Sequence, residues 1–190
     1  MSVLFAPSSD LSDLVTSLYG RRANDLYLGE PVTVYDHALQ SATIAELDGA
    51  PSSLITAALL HDVGQLIRGA AEDAVRFADD EDHARVGGDF LASYFLPEVA
   101  GAVRLHVQAK RFLSATEAGY PATLTPAARM ALVLCGGAMS TDETARFRAR
   151  PHADAAIRLR RYCDRAKQRN LTVPGFRHFA HHVDASARRD

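Results

Sequence analysis

The apolar run Ala57-Ala58-Leu59-Leu60 leads straight into His61-Asp62, and this junction constrains the chain more than any other stretch. Polar side chains at the end of so apolar a helix need partners, because burying one without a hydrogen bond costs on the order of 1–3 kcal/mol. The dipeptide alone fits a capped helix end equally well. It is not alone. His37 lies one helix earlier, His83 and His106 lie on the next two, and Asp164 lies near the end of the chain. Histidines falling one per helix are what the inward-facing ligands of a helical bundle supply. Imidazole and carboxylate suit iron, manganese or zinc, and this set implies no thiolate. Asp62 has two oxygens, so it is able to bridge two ions that share a substrate or an activated oxygen species.

The surrounding pattern is all-α. Helices are expected over Val32–Asp48, Ser53–Leu60, Glu81–Phe95, Pro97–Leu113, Asp142–Arg148, Ala153–Ala166 and Phe176–Val183. Another should start at Pro126 and end at Gly136-Gly137. A first helix capped by Ser9-Asp10 carries Leu11, Leu14, Val15 and Leu18 on one stripe. Asp25 to Pro31 and Gly69 to Asp80 read as loops, and His61 to Gly64 reads as a break. No run alternates as a strand does. The 190 residues fit one domain, and at 47% hydrophobic they suffice for a core without disulfides. A formal charge of −2 gives no global argument for nucleic acid or a membrane surface. Two cysteines without a pairing pattern, and no signal peptide, suggest a soluble chain in a reducing cytoplasm.

Further motifs narrow the reading. Tyr27-Leu28-Gly29-Glu30, His37-Ala38-Leu39-Gln40, Leu60-His61-Asp62-Val63-Gly64, His106 with Lys110-Arg111, Gly136-Gly137-Ala138-Met139, Arg161 with Asp164, and Val173-Pro174-Gly175 follow in this order. From about residue 20 to 180 the chain resembles the HD-domain mixed-valent di-iron oxygenases that cleave carbon–phosphorus bonds. The resemblance implies a single HD-domain bundle holding two iron ions, Fe(II)/Fe(III). By position, His37, His61, Asp62 and Asp164 would hold one iron. Asp62, His83 and His106 would hold the other, with Asp62 as bridge. Tyr27 and Glu30 would gate the position where oxygen binds. Two aspartates leave such an iron pair at about +3, which attracts a phosphonate dianion. Lys110 shares a helix face with His106, and Arg161 shares one with Asp164, so both are candidate phosphonate partners.

The family's best-known branch takes (R)-2-amino-1-hydroxyethylphosphonate and releases glycine. This chain departs from that pattern at Asp36, Gln65, Ala128, Ala131 and Cys135. Asp36 and Gln65 flank the first two histidine ligands, so they are expected at the amine end, where a carboxylate set back from the substrate suits a bulky quaternary ammonium. Tyr27 could add a cation–π contact. The expected substrate is therefore (R)-1-hydroxy-2-(trimethylammonio)ethylphosphonate, cleaved with O2 to glycine betaine and phosphate, with the same reaction on (R)-2-amino-1-hydroxyethylphosphonate, giving glycine and phosphate, as the alternative. Ala128 and Ala131 remove hydroxyls from the phosphonate cradle, where backbone N–H groups near Gly136-Gly137 are candidate replacements. Two other classes use the same ligands. An HD phosphohydrolase activates water between two divalent ions, but has no need of the Tyr27/Glu30 loop. A non-catalytic HD sensor has no need of a complete ligand set.

Overall fold

The computed structural model describes residues 17–20, 25–27, 30–68 and 80–189. The expected first helix lies mostly outside them, as do Leu28-Gly29 and nearly all of the expected loop from Gly69 to Asp80. The described residues form α-helices and turns, with two isolated bridges, Leu26 with Thr33 and Phe95 with Ala187, as their only β pairing. The helices are α1 (Val34–Leu47), α2 (Ser52–Leu60), α3 (Val63–Arg68), α4 (Asp80–Leu91), α5 (Pro97–Thr116), α6 (Tyr120–Thr123), α7 (Pro126–Leu134), α8 (Thr141–Arg148) and α9 (Ala153–Arg165). A 3-10 turn over Phe176–Phe179 then leads into α10 (Ala180–Ala185).

Local chemistry sets the ends. The Thr33 hydroxyl accepts from the Asp36 amide at 3.0 Å and donates to the Asp36 carboxylate at 2.8 Å, closing a capping box on α1. Such a cap contributes about 1 kcal/mol. Ser140 and Glu143 form the same box on α8. After α7, Gly136 and Gly137 take φ of +93° and +74°. Their N–H groups donate to the Val133 and Leu132 carbonyls at 3.1 and 2.8 Å. That reciprocal pattern satisfies the helix end and needs a left-handed residue, which glycine supplies. These N–H groups are therefore committed and do not form the anion cradle considered from the sequence. The break between α2 and α3 is shorter than expected. Only His61 and Asp62 fall in it, and Val63 and Gly64 already belong to α3.

Long α5 is the spine, with α4 packed on one side and α9 on the other. One hydrophobic cluster gathers α1, α2, the first half of α5 and the Phe179–Val183 segment. A second gathers the later part of α5 with Tyr120, Leu124, Leu132, Phe147 and the start of α9. Several polar side chains lie inside this apolar frame: His37, His61, Asp62, His83, His106 and Lys110 are all buried.

Candidate metal centre

Four helices and one break deliver these groups. His37 comes from α1, His61 caps α2, Asp62 stands between α2 and α3, His83 comes from α4 and His106 from α5. The Nδ1 atoms of His37, His61 and His106 lie 2.8, 2.9 and 2.7 Å from the carbonyl oxygens of Ala166, Ala58 and Val103. A carbonyl only accepts, so each Nδ1 carries the proton and each Nε2 of a neutral ring keeps its lone pair. Backbone carbonyls are common orienting partners of metal-bound imidazoles.

The Nε2 atoms converge. Those of His37 and His61 are 3.1 Å apart, and those of His83 and His106 are 3.3 Å apart. Lone pairs that close repel unless a proton or a metal cation lies between them. Asp62 divides itself between the two pairs. Its Oδ2 is 3.2 Å from His61 Nε2 and 3.7 Å from His37 Nε2. Its Oδ1 is 3.3 Å from His83 Nε2 and 3.9 Å from His106 Nε2. Oδ2 is buried yet accepts no hydrogen bond from any described residue. An anionic oxygen in that position implies a cation, because orphaned buried polar atoms are rare and costly. The donor set thus fits a pair of metal ions.

Charge in the cluster is correspondingly uneven. Burial, then repulsion from His61, pushes His37 down to about 3, against the pull of Asp62. Burial and the neighbouring imidazoles likewise hold His106 well below the usual histidine range. Burial opposes charge on His61 too, but the Asp62 carboxylate outweighs it and raises that ring. Asp62 is held well below the carboxylate range by His61 and His83, despite its burial. The Asp62 carboxylate thus favours positive charge on His61, while burial keeps His37 and His106 neutral.

The sixth ligand expected from the sequence, Asp164, is elsewhere. Its Oδ1 accepts from Arg160, including at 3.0 Å from Nε, and its Oδ2 accepts from the Tyr120 hydroxyl at 2.5 Å. The residue that joins His37 and His61 is Cys163, whose Sγ lies within 4.8 Å of their ring nitrogens. Arg161 is displaced as well. It sits at the surface, paired with Glu117, whereas Arg160 is buried. Position on α9 explains both corrections. Ala153, Ala156, Arg160 and Cys163 follow the helical repeat along the buried face, and Arg161 and Asp164 each fall one residue further round. That spacing was readable in the sequence and identifies Arg160 and Cys163 as the inward pair.

Lys110 stands where expected, buried one turn beyond His106. Tyr27 stacks on the His37 ring, with centroids 4.2 Å apart. Glu30 is buried and ion-paired with Lys167 at 2.7 Å, while Thr125 donates to the same oxygen at 2.5 Å. The sequence reading missed Lys167, which also lies 6.0 Å from the Tyr27 ring. Gln65 donates from Nε2 to Asp62 Oδ1 at 3.0 Å, so it orients that carboxylate. Gln40 exchanges two hydrogen bonds with the Gln168 backbone, at 2.8 and 3.0 Å, and anchors the segment after α9. Asp36, bound to Thr33, lines a cleft with Leu26, Gln40 and residues 169–172.

Comparison with known proteins agrees with this geometry. Residues 34–130 match the HD domain model. The chain belongs to the HD-domain family, in the group that contains hydroxyalkylphosphonate dioxygenases. It is 35% identical over 171 residues to the glycine-betaine-forming 1-hydroxy-2-(trimethylamino)ethylphosphonate dioxygenase of Leisingera caerulea, covering 90% of this chain and 87% of that one. It is 37% identical over 160 residues to the hydroxymethylphosphonate dioxygenase of Gimesia maris, covering 84% and 80%. An uncharacterized protein of Acanthamoeba polyphaga mimivirus is 30% identical over 156 residues, covering 80% and 71%.

Proposed function

We propose that this chain is a mixed-valent di-iron dioxygenase that cleaves the C–P bond of (R)-1-hydroxy-2-(trimethylammonio)ethylphosphonate, giving glycine betaine and phosphate. The observation that carries the dinuclear reading is the division of Asp62, one oxygen toward His37 and His61 and the other toward His83 and His106. The substrate class rests on the two dioxygenase relatives, whose likeness spans most of the chain. The reaction balances with one O2: the hydroxyphosphonate and oxygen give a carboxylate and hydrogen phosphate, releasing one proton.

Iron, when bound by these residues, would supply oxygen activation. The chain supplies position and charge. His37, His61, Asp62, His83 and His106 hold the ions, and Gln65 fixes the rotation of the bridge. Lys110, one turn from His106, offers its ammonium to the phosphonate. Arg160 comes from α9, its guanidinium bound to Asp164, which in turn accepts from the Tyr120 hydroxyl. Tyr27 covers His37, and the Glu30–Lys167 pair latches the loop that carries it. The Asp36 carboxylate in the neighbouring cleft provides charge-based attraction for a quaternary ammonium, which has no N–H to donate. A reducing cytoplasm keeps Cys135 and Cys163 out of disulfides.

One observation favours a second reading. Thr33 already binds the Asp36 carboxylate through its hydroxyl, which suits a substrate with no amine, such as the hydroxymethylphosphonate named for the Gimesia maris relative. Iron-reconstituted protein incubated with the trimethylamino, primary amino and hydroxymethyl substrates, with and without oxygen, separates the readings. Oxygen-dependent phosphate and glycine betaine from the first compound is the expected result. Phosphate release that persists without oxygen would overturn the dioxygenase reading in favour of a hydrolase.

A further inference from the structure

We infer that Cys163 is a metal ligand, so that one of the two ions is held by a thiolate together with His37, His61 and Oδ2 of Asp62. The inference rests on the metal-centre reading above but not on the phosphonate substrate. Three observations carry it. The Cys163 sulfur, 1% exposed, lies within 4.8 Å of the His37 and His61 ring nitrogens. The Asp62 oxygen on that side accepts no hydrogen bond from any described residue. The neighbouring carboxylate, Asp164, has both oxygens engaged by Arg160 and Tyr120. Moving Asp164 to the metal would leave a buried guanidinium without its counter-charge, which is strongly destabilising. Cys163 needs no such rearrangement.

The assignment makes the two halves of the centre chemically unlike. The Cys163 half has two imidazoles, one carboxylate oxygen and one sulfur, a full set for a four-coordinate ion. The other half has His83, His106 and Oδ1 of Asp62, three protein ligands with positions left for substrate and oxygen. A thiolate carries the same single negative charge as the carboxylate it displaces, so the total charge of the site is unchanged. It is softer, and it shifts the preference of that half away from magnesium and manganese toward iron, cobalt and zinc. Lys110 and Arg160 lie one helical turn from His106 and Cys163 respectively, each buried on the same helix as its ligand.

Cobalt(II) is the probe, since a thiolate bound to it gives an intense near-ultraviolet charge-transfer band that imidazole and carboxylate do not. Anaerobic full-length protein is expected to take up two equivalents of cobalt and to show the band. Cys163→Ser should abolish the band and lower uptake to one equivalent, while Cys163→Asp should abolish the band and keep two. Cys135→Ser and Asp164→Asn should each keep both the band and two equivalents. Two equivalents without a band, or a band that survives in Cys163→Ser, overturns the thiolate assignment and leaves the metal centre standing. No cobalt uptake at all overturns both readings. A band with two ions but no turnover of any hydroxyphosphonate overturns the proposed substrate alone.

Discussion

A Cβ placed on Gly64 would lie 2.0 Å from the carbonyl oxygen of His83. The contact is backbone against backbone, and Gly87, one turn after His83 on α4, also meets Gly64, with its own Cβ position 3.1 Å from the Gly64 nitrogen. Two glycines thus let α3 touch α4, and that contact sets how closely His83 approaches Asp62. Gly64→Ala must force the helices apart. It should cost about 1–3 kcal/mol of stability, as overpacking does, and should loosen the ion held by His83 and His106. Thermal melts and bound-metal analysis check this. A variant with the parental melting temperature and two tight ions would show that the spacing is not critical.

Gln65 contacts Asp62, the carboxylate proposed to bridge the two metal ions. Its amide orients Oδ1 at 3.0 Å, and losing an orienting partner of a metal ligand typically weakens metal affinity about 10–100-fold. Gln65→Ala should fall in that range, measured by competition with a chromogenic chelator. Asp62→Asn removes the bridging charge itself and should lower the affinity for both ions by more than Gln65→Ala does. Equal losses in the two variants would rule out Asp62 as the bridge.

The four histidines and Asp62 were legible because each falls once per helix in an otherwise apolar context, a pattern that survives small errors in helix boundaries. The site residues of α9 were not, because the choice among Arg158, Arg160 and Arg161, and between Cys163 and Asp164, turns on a one-residue shift in helical phase. Composition misleads there: an aspartate looks more like a ligand than the cysteine beside it. The buried positions Ala153, Ala156 and Ile157 set the phase, and they place Arg160 and Cys163 inward. Gln65 and Lys167 escaped for another reason. Their roles depend on contacts to Asp62 and Glu30 across chain separations or turns that periodicity does not encode.

Lys110 is 2% exposed on a helix otherwise packed with apolar side chains. Its ammonium lies on the same helix as His106, one turn beyond it, which places it beside the metal centre. Lys110→Met retains the length and apolar stem while removing the charge. Its kcat/KM for a hydroxyphosphonate should fall by about 1.5–3 kcal/mol, the range of a hydrogen bond to a charged group, with the melting temperature unchanged or raised. Steady-state kinetics beside a thermal melt test this. A destabilised variant with full activity would make Lys110 a structural residue.

The Glu46 carboxylate ties α1 to the C-terminal segment, accepting from His178 at 2.8 Å and His182 at 3.1 Å. Burial works to raise this group, but the two hydrogen bonds outweigh it, and the carboxyl titrates below its usual value of 4.5. A depressed folded value means that the unfolded chain binds the proton first as pH falls. The contribution of Glu46 to stability is therefore complete above its unfolded value and is lost as pH drops through the lower, folded one. Glu46→Gln should lower the melting temperature at about pH 5.5, and the difference from the parent should close by about pH 3. Added salt should shrink the difference at the higher pH, because the groups are partly exposed and screened. A gap between the two proteins that stays constant from pH 5.5 to 3 would show that the histidine contacts do not depend on the charge of Glu46.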